Sequence, residues 1–293
     1  MSEPLGWGFK VGHWTHPHRH TGCTVVLPPA GNVASCDIRG SAPGSRELAM
    51  LHPDRRHTEV HGVLLTGGSA FGLAAAEGVV GHLEDAGIGY VTPIATIPIV
   101  PAAVIFDGSA GDPRVRPSAS SGREACASAA PDERRSGRIG AGVAATVGKW
   151  AGIEFSSPGG LGVAAVEESG VRVAALAVVN AVGDVVGPDG RVIAGTTSPD
   201  PKRMTRAPIR HGIPLNTVLA LVAVRARLSK AEVRWLAARG SDGVTQSVRP
   251  AHTRADGDVT FAIAAPSDEV GDLDLLGPLA TDAVAAAVRN AVR

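Results

Sequence analysis

The chain has 293 residues and carries 28 basic and 28 acidic side chains, so its formal net charge is zero. This balance excludes the positive surface expected of a protein that binds nucleic acid or an anionic membrane. An aromatic content of only 3% excludes a stacking platform for single-stranded nucleic acid. Glycine, at 37 residues, and small apolar side chains dominate the composition, which indicates closely packed backbone layers.

The N-terminal sequence and the cysteines predict a protein of a reducing compartment. Residues 1–8 lack the basic and apolar regions of a signal peptide. The most apolar segment, Thr92–Phe106, is too short and too rich in proline to span a bilayer. The three cysteines are isolated and odd in number, which fits buried thiols rather than a disulfide framework or a zinc site. We therefore expect a soluble cytoplasmic protein.

The first half of the chain shows three strand patterns and one strand–turn–helix pattern. Residues 1–22 have no regular periodicity, and we expect them to be irregular. Residues 39–47 form a glycine-rich loop that leads to a short helix, and residues 107–138 form a long polar surface segment with one short helix near residues 121–129. The predicted strands are Cys23–Leu27, Val33–Ile38 and Val63–Leu65.

A glycine turn follows the third strand and contains Gly67, Gly68 and Ser69. Ser69 is expected to cap a helix that ends near Gly87. The N-terminus of a helix after such a turn can bind an anion or an oxyanion. The glycine spacing matches neither a phosphate-binding loop nor a dinucleotide-binding fingerprint. The alternative is that the glycines only let helix and sheet approach closely, and the sequence leaves both interpretations open.

Four histidines, His13, His16, His18 and His20, raise the question of a metal site near the N-terminus. The last three would share one face if this segment were extended. No acidic or cysteine ligand joins them, and the charge of Arg19 opposes a cation. We therefore expect neither a metal ion nor any other cofactor.

The sequence after residue 138 predicts an antiparallel meander, then two further strands and two helices. The predicted meander strands are Ile139–Lys149, Gly152–Phe155, Gly162–Glu167, Val171–Val179 and Val182–Val186. Ser229 and Glu232 form a capping box at the start of a helix that ends at Gly240. The last elements are a strand at Val259–Ala264 and a helix at Thr281–Val292. No linker divides the chain, so we expect one α+β domain of stacked layers over residues 1–293.

A continuous apolar run from Val218 to Val224 predicts a buried strand that begins at Thr217. Thr217 can simply be a β-branched residue that starts a strand. Alternatively, the Asn216–Thr217 bond is a self-cleavage site, because cleavage would give an N-terminal threonine whose hydroxyl and α-amine form a nucleophile–base pair. Residues 195–213 are polar and basic, and we expect a mobile loop that would give the new terminus room to withdraw.

Four further residues can contribute to chemistry at this bond. Lys149 is one of only four lysines among the 28 basic residues and has small apolar neighbours. Its amine either lies inside, where it can lose its proton or stabilise an oxyanion, or reaches out to water. Asn180 closes an apolar run and is either a turn residue or a donor to an oxyanion. Asp256 and Asp258 flank a glycine and either form an ordinary turn or orient an amine or a lysine.

Six segments together resemble the L-aminopeptidase/D-esterase family (peptidase family S58) of self-processing N-terminal-nucleophile hydrolases. They span nearly the whole chain and are specific as a set. The segments are Val11–Thr15, Arg39–Glu47, Leu64–Leu73, Ile97–Phe106, Leu215–Thr217 and Pro250–Ala262. A threonine nucleophile preceded by asparagine resembles the branch of aminohexanoate-oligomer (nylon-oligomer) hydrolases more than the serine-nucleophile β-aminopeptidases.

The resemblance implies an α+β fold built as a four-layer αββα sandwich. It also implies cleavage into residues 1–216, which would end at Asn216, and residues 217–293. The cleaved heterodimers would assemble into a homotetramer. The implied partners are small amide or peptide substrates, without nucleic acid or membrane.

The resemblance also implies a role for each candidate residue. Thr217 would be the nucleophile of an amide hydrolase or aminopeptidase that forms an acyl-threonine intermediate. Lys149 and Asn180 would contact the nucleophile and the oxyanion. Asp256 and Asp258 would support the site.

One departure from the family pattern concerns Arg123, because relatives are expected to have a tyrosine near this position and the only tyrosine here is Tyr90. An arginine there would change the substrate pocket or a subunit contact, so substrate specificity is not carried over. Two other functions stay open. One is acyl transfer of the ornithine acetyltransferase kind, and the other is an uncleaved, non-catalytic homologue that acts by binding.

Overall fold

The computed structural model describes residues 4–200 and 216–293. The α-helices in these ranges are α1 (Ala75–Asp85), α2 (Ala119–Ala127), α3 (Lys230–Ser247) and α4 (Leu273–Asn290). The strands in the same ranges are β1 (Lys10–Thr15), β2 (Gly22–Leu27), β3 (Val33–Ile38), β4 (Ser45–Arg46), β5 (Val63–Thr66), β6 (Tyr90–Val91), β7 (Thr96–Ile97), β8 (Ala102–Val104), β9 (Thr146–Val147), β10 (Ser157–Pro158), β11 (Gly160–Glu168), β12 (Val171–Asn180), β13 (Asp184–Val186), β14 (Val192–Ala194), β15 (Thr217–Arg227), β16 (Val248–Arg249) and β17 (Val259–Val270). Among the described helices, none has the length and apolar character needed to cross a membrane. The predicted mobile loop of residues 195–213 lies outside the described residues from residue 201 onward.

Two five-stranded sheets form the centre of the fold. The first has the strand order β1-β2-β5-β8-β4, and the second has the order β11-β12-β15-β17-β3. The pairs β5–β8 and β15–β17 are parallel, and the other pairs in these two sheets are antiparallel. β15 is the central strand of the second sheet, as its apolar run predicts, and every residue from Thr217 to Val224 is buried.

Three hydrophobic cores separate four layers. The first core lies between α1, α2 and the first sheet, the second between the two sheets, and the third between the second sheet, α3 and α4. Representative core residues are Leu64 and Val79 in the first, Leu65, Leu221 and Phe261 in the second, and Val222, Leu236 and Val284 in the third. Neighbours such as Leu221 and Val222 belong to different cores because successive strand residues point to opposite faces. The α+β, four-layer αββα sandwich implied by the family resemblance is confirmed.

Glycine lets the two helices of the first helix layer approach each other closely, as the composition indicates. α1 and α2 meet at Gly78 and Gly122. A Cβ atom on Gly78 would lie 1.7 Å from the Ala119 carbonyl oxygen, and one on Gly122 would lie 1.9 Å from the Ala75 carbonyl oxygen. Any larger residue at either position would push the two helices apart.

The predicted strands Ile139–Lys149 and Gly152–Phe155 are not formed. The structure has the two-residue β9 in this region, together with 3₁₀ turns at Gly140–Gly142, Lys149–Ala151 and Ile153–Phe155. Gly140, Gly148 and Gly152 have φ angles of 52°, 74° and 128°, which an extended strand does not adopt. The expected meander also ends early, because β13 and β14 form a separate three-stranded sheet with β16.

The N-terminal segment is more regular than predicted. Residues 10–15 form β1, which pairs with β2 in antiparallel register at the edge of the first sheet. Sequence reasoning missed this strand because Gly12 and the polar residues Lys10, His13 and Thr15 hide the alternation of apolar side chains.

The predicted boundaries of α1 and α3 are wrong. Ser69 does not cap α1, because a 3₁₀ helix over Ser69–Ala74 comes first and Gly68 precedes it without a side-chain cap. α3 does not end at Gly240 but continues to Ser247. The absence of a Cβ at this glycine lets α3 pack directly on the second sheet, which outweighs its poor helix propensity.

Side-chain caps define the starts of α3 and α4. The capping box of Ser229 and Glu232 at α3 is confirmed, with both reciprocal hydrogen bonds present. α4 starts well before the predicted Thr281, because the Asp272 side chain accepts a hydrogen bond of 2.9 Å from the N–H of Asp274. A carboxylate at this position satisfies an N–H group that the first helical turn leaves unpaired.

Candidate active site

The ends of β12 and β15 meet at the bond for which cleavage is predicted. Asn180, the last residue of β12, lies opposite Thr217, the first residue of β15, in the antiparallel register. On the other side of β15, Asn216 forms an isolated parallel bridge with Asp256. These four residues are each at most 7% exposed. The fold therefore brings predicted site residues to both sides of Thr217, inside the protein.

Two hydrogen-bond donors converge on the carbonyl oxygen of Asn216. The Thr217 hydroxyl Oγ1 donates to this oxygen over 2.5 Å, and the backbone N–H of Gly257 donates to it over 2.9 Å. The hydroxyl is held beside the bond that it would attack, and the N–H polarises the carbonyl group. Sequence reasoning missed Gly257 because a backbone donor has no side-chain signature. Its position between Asp256 and Asp258 was the available signal.

Lys149 is partly exposed as a residue, but its amine points inward. Its Nζ donates to the backbone oxygen of Asn180 over 3.0 Å and to Oδ1 of the same residue over 2.8 Å. Burial of the amine lowers the pKa of Lys149 to about 7, although the charge of Asp256 acts in the opposite direction. The interpretation of a lysine that reaches out to water is therefore wrong. Near neutral pH a large share of this amine is uncharged.

The side chain of Asn180 is held by several elements. Its Oδ1 accepts from the Lys149 amine and also from the N–H of Thr146 over 3.0 Å. Its Nδ2 donates to the backbone oxygen of Phe106 over 3.0 Å. Asn180 is thus the last residue of a strand rather than a turn residue. It connects the Lys149 amine to β12, the strand that pairs with β15 at Thr217. Its role as a donor to an oxyanion stays a prediction.

The two aspartates make different contacts. Oδ1 of Asp258 accepts from the N–H of Val218 over 2.6 Å, and its Oδ2 lies 2.7 Å from Nδ1 of His252. Oδ2 of Asp256 accepts from the N–H of Thr253 over 2.6 Å. Burial, and then the negative charge of Asp258, raise the pKa of Asp256 to about 6. The site therefore holds a carboxyl group and an amine that both change charge near neutral pH.

The turn of Gly67, Gly68 and Ser69 uses its backbone N–H groups inside the fold. Their acceptors are Gly22 O (2.9 Å), Asp107 Oδ1 (2.8 Å) and Ile105 O (2.9 Å). A Cβ atom on Gly67 would lie 2.0 Å from Oδ2 of the buried Asp107. These contacts support the interpretation that the glycines permit close packing. A role of the turn in binding an oxyanion stays a prediction.

Three of the four histidines lie between β1 and β2 and are partly or fully exposed. The rings of His16, His18 and His20 have centroids 5.3–6.2 Å apart. Nδ1 of His20 accepts from the N–H of Asp112 over 3.1 Å. Within residues 4–200 and 216–293, no group of three or more histidine, cysteine, aspartate or glutamate side chains is arranged to hold a metal ion.

A cavity of about 130 Å³ lies beside Phe106, the residue whose carbonyl accepts from Asn180. Phe71, Asp107 and Arg116 contribute to its walls. The guanidinium of Arg116 lies 3.5 Å from the ring centroid of Phe71, a cation–π contact. The cavity thus offers aromatic side chains, one carboxyl group and one cationic group, and it is linked to Asn180 through Phe106.

Arg123 does not lie at this site. It is on α2 in the outer helix layer, where its Nη1 lies 2.6 Å from Oδ2 of Asp85 on α1. Both side chains are about half exposed or more, at 49% and 67%. The expectation that Arg123 changes the substrate pocket is therefore not supported by its position.

Arg123→Ala is expected to leave hydrolytic activity unchanged and to lower the free energy of unfolding by less than about 1 kcal/mol, because exposed ion pairs contribute little. Urea denaturation and an activity assay on the same preparation measure both quantities. A tenfold loss of activity with unchanged stability would show that this arginine reaches the substrate.

Residues 7–293 match the family model of peptidase family S58. An uncharacterised aminopeptidase of Mycobacterium tuberculosis is 39% identical over 280 residues, which cover 88% of this chain and 79% of that protein. A 6-aminohexanoate-oligomer endohydrolase of Agromyces sp. is 31% identical over 278 residues, which cover 90% of this chain and 74% of that enzyme.

Solved structures share the fold. The L-aminopeptidase D-Ala-esterase/amidase of Ochrobactrum anthropi, described as a variant of the Ntn hydrolase fold, superposes with a TM-score of 0.75 at 20% identity over 99% of this chain and 86% of that chain. A Burkholderia sp. β-aminopeptidase gives a TM-score of 0.73 at 21% identity and the same coverage. At these identities the likeness shows the fold alone, whereas the family match extends over almost the whole sequence. The chain belongs to peptidase family S58 and is a hydrolase that acts on amide bonds.

Proposed function

We propose that the protein is a self-processing N-terminal threonine hydrolase of amides, with Thr217 as its nucleophile. The observation that carries the proposal is the Thr217 hydroxyl, which lies 2.5 Å from the carbonyl oxygen of Asn216 beside the Gly257 N–H. The relatives support it in outline, because one is named an aminopeptidase and another a 6-aminohexanoate-oligomer endohydrolase.

Self-cleavage begins with attack of Thr217 Oγ1 on the carbonyl carbon of Asn216. Lys149, uncharged in part near neutral pH, accepts the hydroxyl proton and returns it to the departing Thr217 nitrogen as the C–N bond breaks. The Gly257 N–H stabilises the negative charge on the carbonyl oxygen. Water then hydrolyses the resulting ester, which separates residues 1–216 from residues 217–293 and leaves Thr217 with a free α-amine.

In the mature enzyme that α-amine is the general base, since its ordinary pKa of about 7.7–8.0 lies close to the working pH. Oγ1 of Thr217 attacks the substrate amide, the amine product leaves, and water hydrolyses the acyl-threonine. Lys149, Asn180 and backbone N–H groups hold the oxyanion. The two chains stay together because β15 pairs with β12 and β17 pairs with β3, and both β12 and β3 belong to residues 1–216.

The substrates in this proposal are small amides and short peptides, including oligoamides of the kind named for the Agromyces relative. The cavity beside Phe106, whose carbonyl oxygen accepts from Asn180, is the place that we assign to an apolar group of the substrate. Assembly as a homotetramer of cleaved heterodimers in the cytoplasm belongs to the same proposal.

Mass spectrometry of the denatured wild-type protein tests the proposal directly. We expect two chains, with the break immediately before Thr217, and release of amine from short peptide amides or aminohexanoate oligomers by the same preparation. A single full-length mass from an active preparation would contradict self-processing. Acetyl transfer to glutamate that outpaces hydrolysis would instead favour an acyltransferase.

Gly257→Ala is expected to slow self-cleavage by about 10²-fold, the cost of one lost oxyanion donor. A Cβ atom here would lie 2.6 Å from the Ala42 carbonyl oxygen and 3.0 Å from Thr217 Oγ1, so the turn must shift and move its N–H away from Asn216. Electrophoresis of cell-free translation products at timed intervals measures the rate. Gly62→Ala is the control, because a Cβ atom there would meet only side-chain methyl groups at 3.4–3.6 Å, an ordinary contact distance. Cleavage of the Gly257 variant at the rate of the control would show that the Gly257 N–H does not stabilise the oxyanion.

A further inference from the structure

The imidazole of His252 lies between two oxygen acceptors. Its Nδ1 is 2.7 Å from Oδ2 of Asp258, and its Nε2 is 3.2 Å from the backbone oxygen of Ser241 on α3. A carbonyl oxygen can only accept, so Nε2 carries a hydrogen. Oδ1 of Asp258 accepts from the N–H of Val218, and its Oδ2 is the oxygen that lies beside Nδ1. Both ring nitrogens thus face oxygen atoms that can accept, which is the environment of an imidazolium.

The charged groups around the ring agree with this state. The carboxyl groups of Asp258 and Asp256 favour the positive charge, while the guanidinium of Arg39 opposes it. Arg39 is itself paired with the carboxylates of Asp37 and Asp242. Burial lowers the pKa of His252, but the hydrogen bond to Asp258, the charge of that group and the bond to the Ser241 carbonyl together raise it.

We infer that His252 is a positioning residue: its imidazolium fixes the Asp258 carboxylate on the N–H of Val218, the residue that follows the nucleophile. The inference rests on the proposed function, in which Thr217 becomes a chain terminus. The backbone of His252 has a φ of 54°, which is uncommon for a residue other than glycine. The backbone at His252 thus adopts an energetically costly conformation at the position that holds this ring.

The contact matters most after self-cleavage. In the precursor, Asn216 anchors the start of β15, because its carbonyl oxygen accepts from the Gly257 N–H. Cleavage removes the covalent link between that anchor and Thr217. On the side of β15 that faces β17, strand pairing starts only at Leu219. Val218, between Thr217 and the first paired residue, is held there by its hydrogen bond to Asp258. On this side of β15 the orientation of the new terminus then depends on Asp258, and the orientation of Asp258 depends on His252.

Two substitutions of His252 each keep one of the two hydrogen bonds of the ring. In His252→Asn the side-chain Nδ2 stands near the position of Nδ1 and can still donate to Asp258. In His252→Gln the side-chain Nε2 stands near the position of the ring Nε2 and can donate only to the Ser241 carbonyl. With the mature enzyme we expect kcat to fall about threefold for the asparagine variant and about thirtyfold or more for the glutamine variant, with KM within about threefold, because small misplacements of a nucleophile cost rate rather than binding. Equal losses, or a larger loss for asparagine, would overturn the positioning role.

A measurement on the wild type keeps the inference testable if either variant fails to fold. ¹⁵N NMR of histidine-labelled protein at pH 7 is expected to show both ring nitrogens of His252 protonated, with the signal assigned by its loss in a His252 variant. A neutral ring would overturn the inference. The same spectrum can be recorded whether or not the chain is cleaved. An uncleaved wild type with an imidazolium would therefore count against the proposed function alone, and a cleaved, active enzyme with a neutral ring would count against this inference alone.

Discussion

Thr217→Ala protein is expected to remain one uncut chain of residues 1–293 and to show no amide hydrolysis. The hydroxyl that lies on the Asn216 carbonyl oxygen is the proposed nucleophile of both reactions, so its removal stops self-cleavage and substrate attack together. Removal of a nucleophile from a serine hydrolase lowers kcat on the order of 10⁶-fold, and we expect a loss of similar size here. Denaturing electrophoresis and an amine-release assay measure the two effects.

Two further substitutions separate the hydroxyl from the shape of the side chain. Thr217→Val keeps the branched shape and the strand preference but has no hydroxyl, so we expect it to stay uncut like the alanine variant. Thr217→Ser keeps the hydroxyl and loses a methyl group, and we expect it to be cleaved, although more slowly. Cleavage of the valine variant would place the nucleophile elsewhere. Circular dichroism spectra like those of the wild type would show that the uncut variants are folded.

The central strand was predictable because its signals are local. The apolar run that starts at Thr217 is long enough for a strand buried on both faces, and the structure places it in the middle of the second sheet. The capping box of Ser229 and Glu232 was equally readable, since its two partners are three residues apart. The four-layer arrangement came from the family resemblance rather than from these patterns.

The region between residues 139 and 155 was not predictable because remote contacts decide its conformation. A Cβ atom on Gly142 would lie 2.2 Å from the backbone nitrogen of Leu161, and one on Gly148 would lie 2.1 Å from that of Thr196. Neither partner is close in sequence. The apolar residues between these glycines therefore fill the core from tight turns, although their pattern alone favours a strand.

The sequence indicated which side chains gather around Thr217 but not how they are connected. The scarcity of lysine drew attention to Lys149, and its inward amine agrees with one of the two interpretations. The Gly257 donor and the Ser241 acceptor are backbone groups, which have no signature in a sequence. His252 belongs to a family-like segment, but its contact with α3 exists only in the folded chain. The chemical roles of these residues stay predictions.

Lys149→Met is expected to slow self-cleavage by about 10²–10⁴-fold, the usual contribution of a general base. In the precursor the nitrogen of Thr217 is part of a peptide bond and cannot accept a proton, so the mechanism needs another base. A neutral lysine amine can donate both hydrogen bonds to Asn180 and still has a lone pair. Timed electrophoresis of cell-free translation products gives the rate, and the same sampling at several pH values gives its pH dependence.

The pH dependence follows from the lowered pKa of Lys149, about 7. The amine loses its proton above this value, so the cleavage rate of the wild type should rise by about tenfold per pH unit below pH 7 and level off above it. Below about pH 6 the rise should be less steep, because Asp256 becomes protonated there and no longer favours the charged amine. A rate that is constant from pH 5 to pH 9, an interval of about two units on each side of 7, would contradict a base with this pKa.

Lys149→Arg distinguishes a base from a fixed positive charge. An arginine at this position can donate to both oxygens of Asn180, but it does not lose its proton in the working pH range. If Lys149 accepts the Thr217 proton, the arginine variant should be cleaved as slowly as the methionine variant. If the lysine instead stabilises the oxyanion as a cation, the arginine variant should recover most of the rate and lose the rise with pH. The second result would mean that another group accepts the Thr217 proton. Asp256 would be the next residue to replace, because burial and the charge of Asp258 raise the pKa of its carboxyl group to about 6.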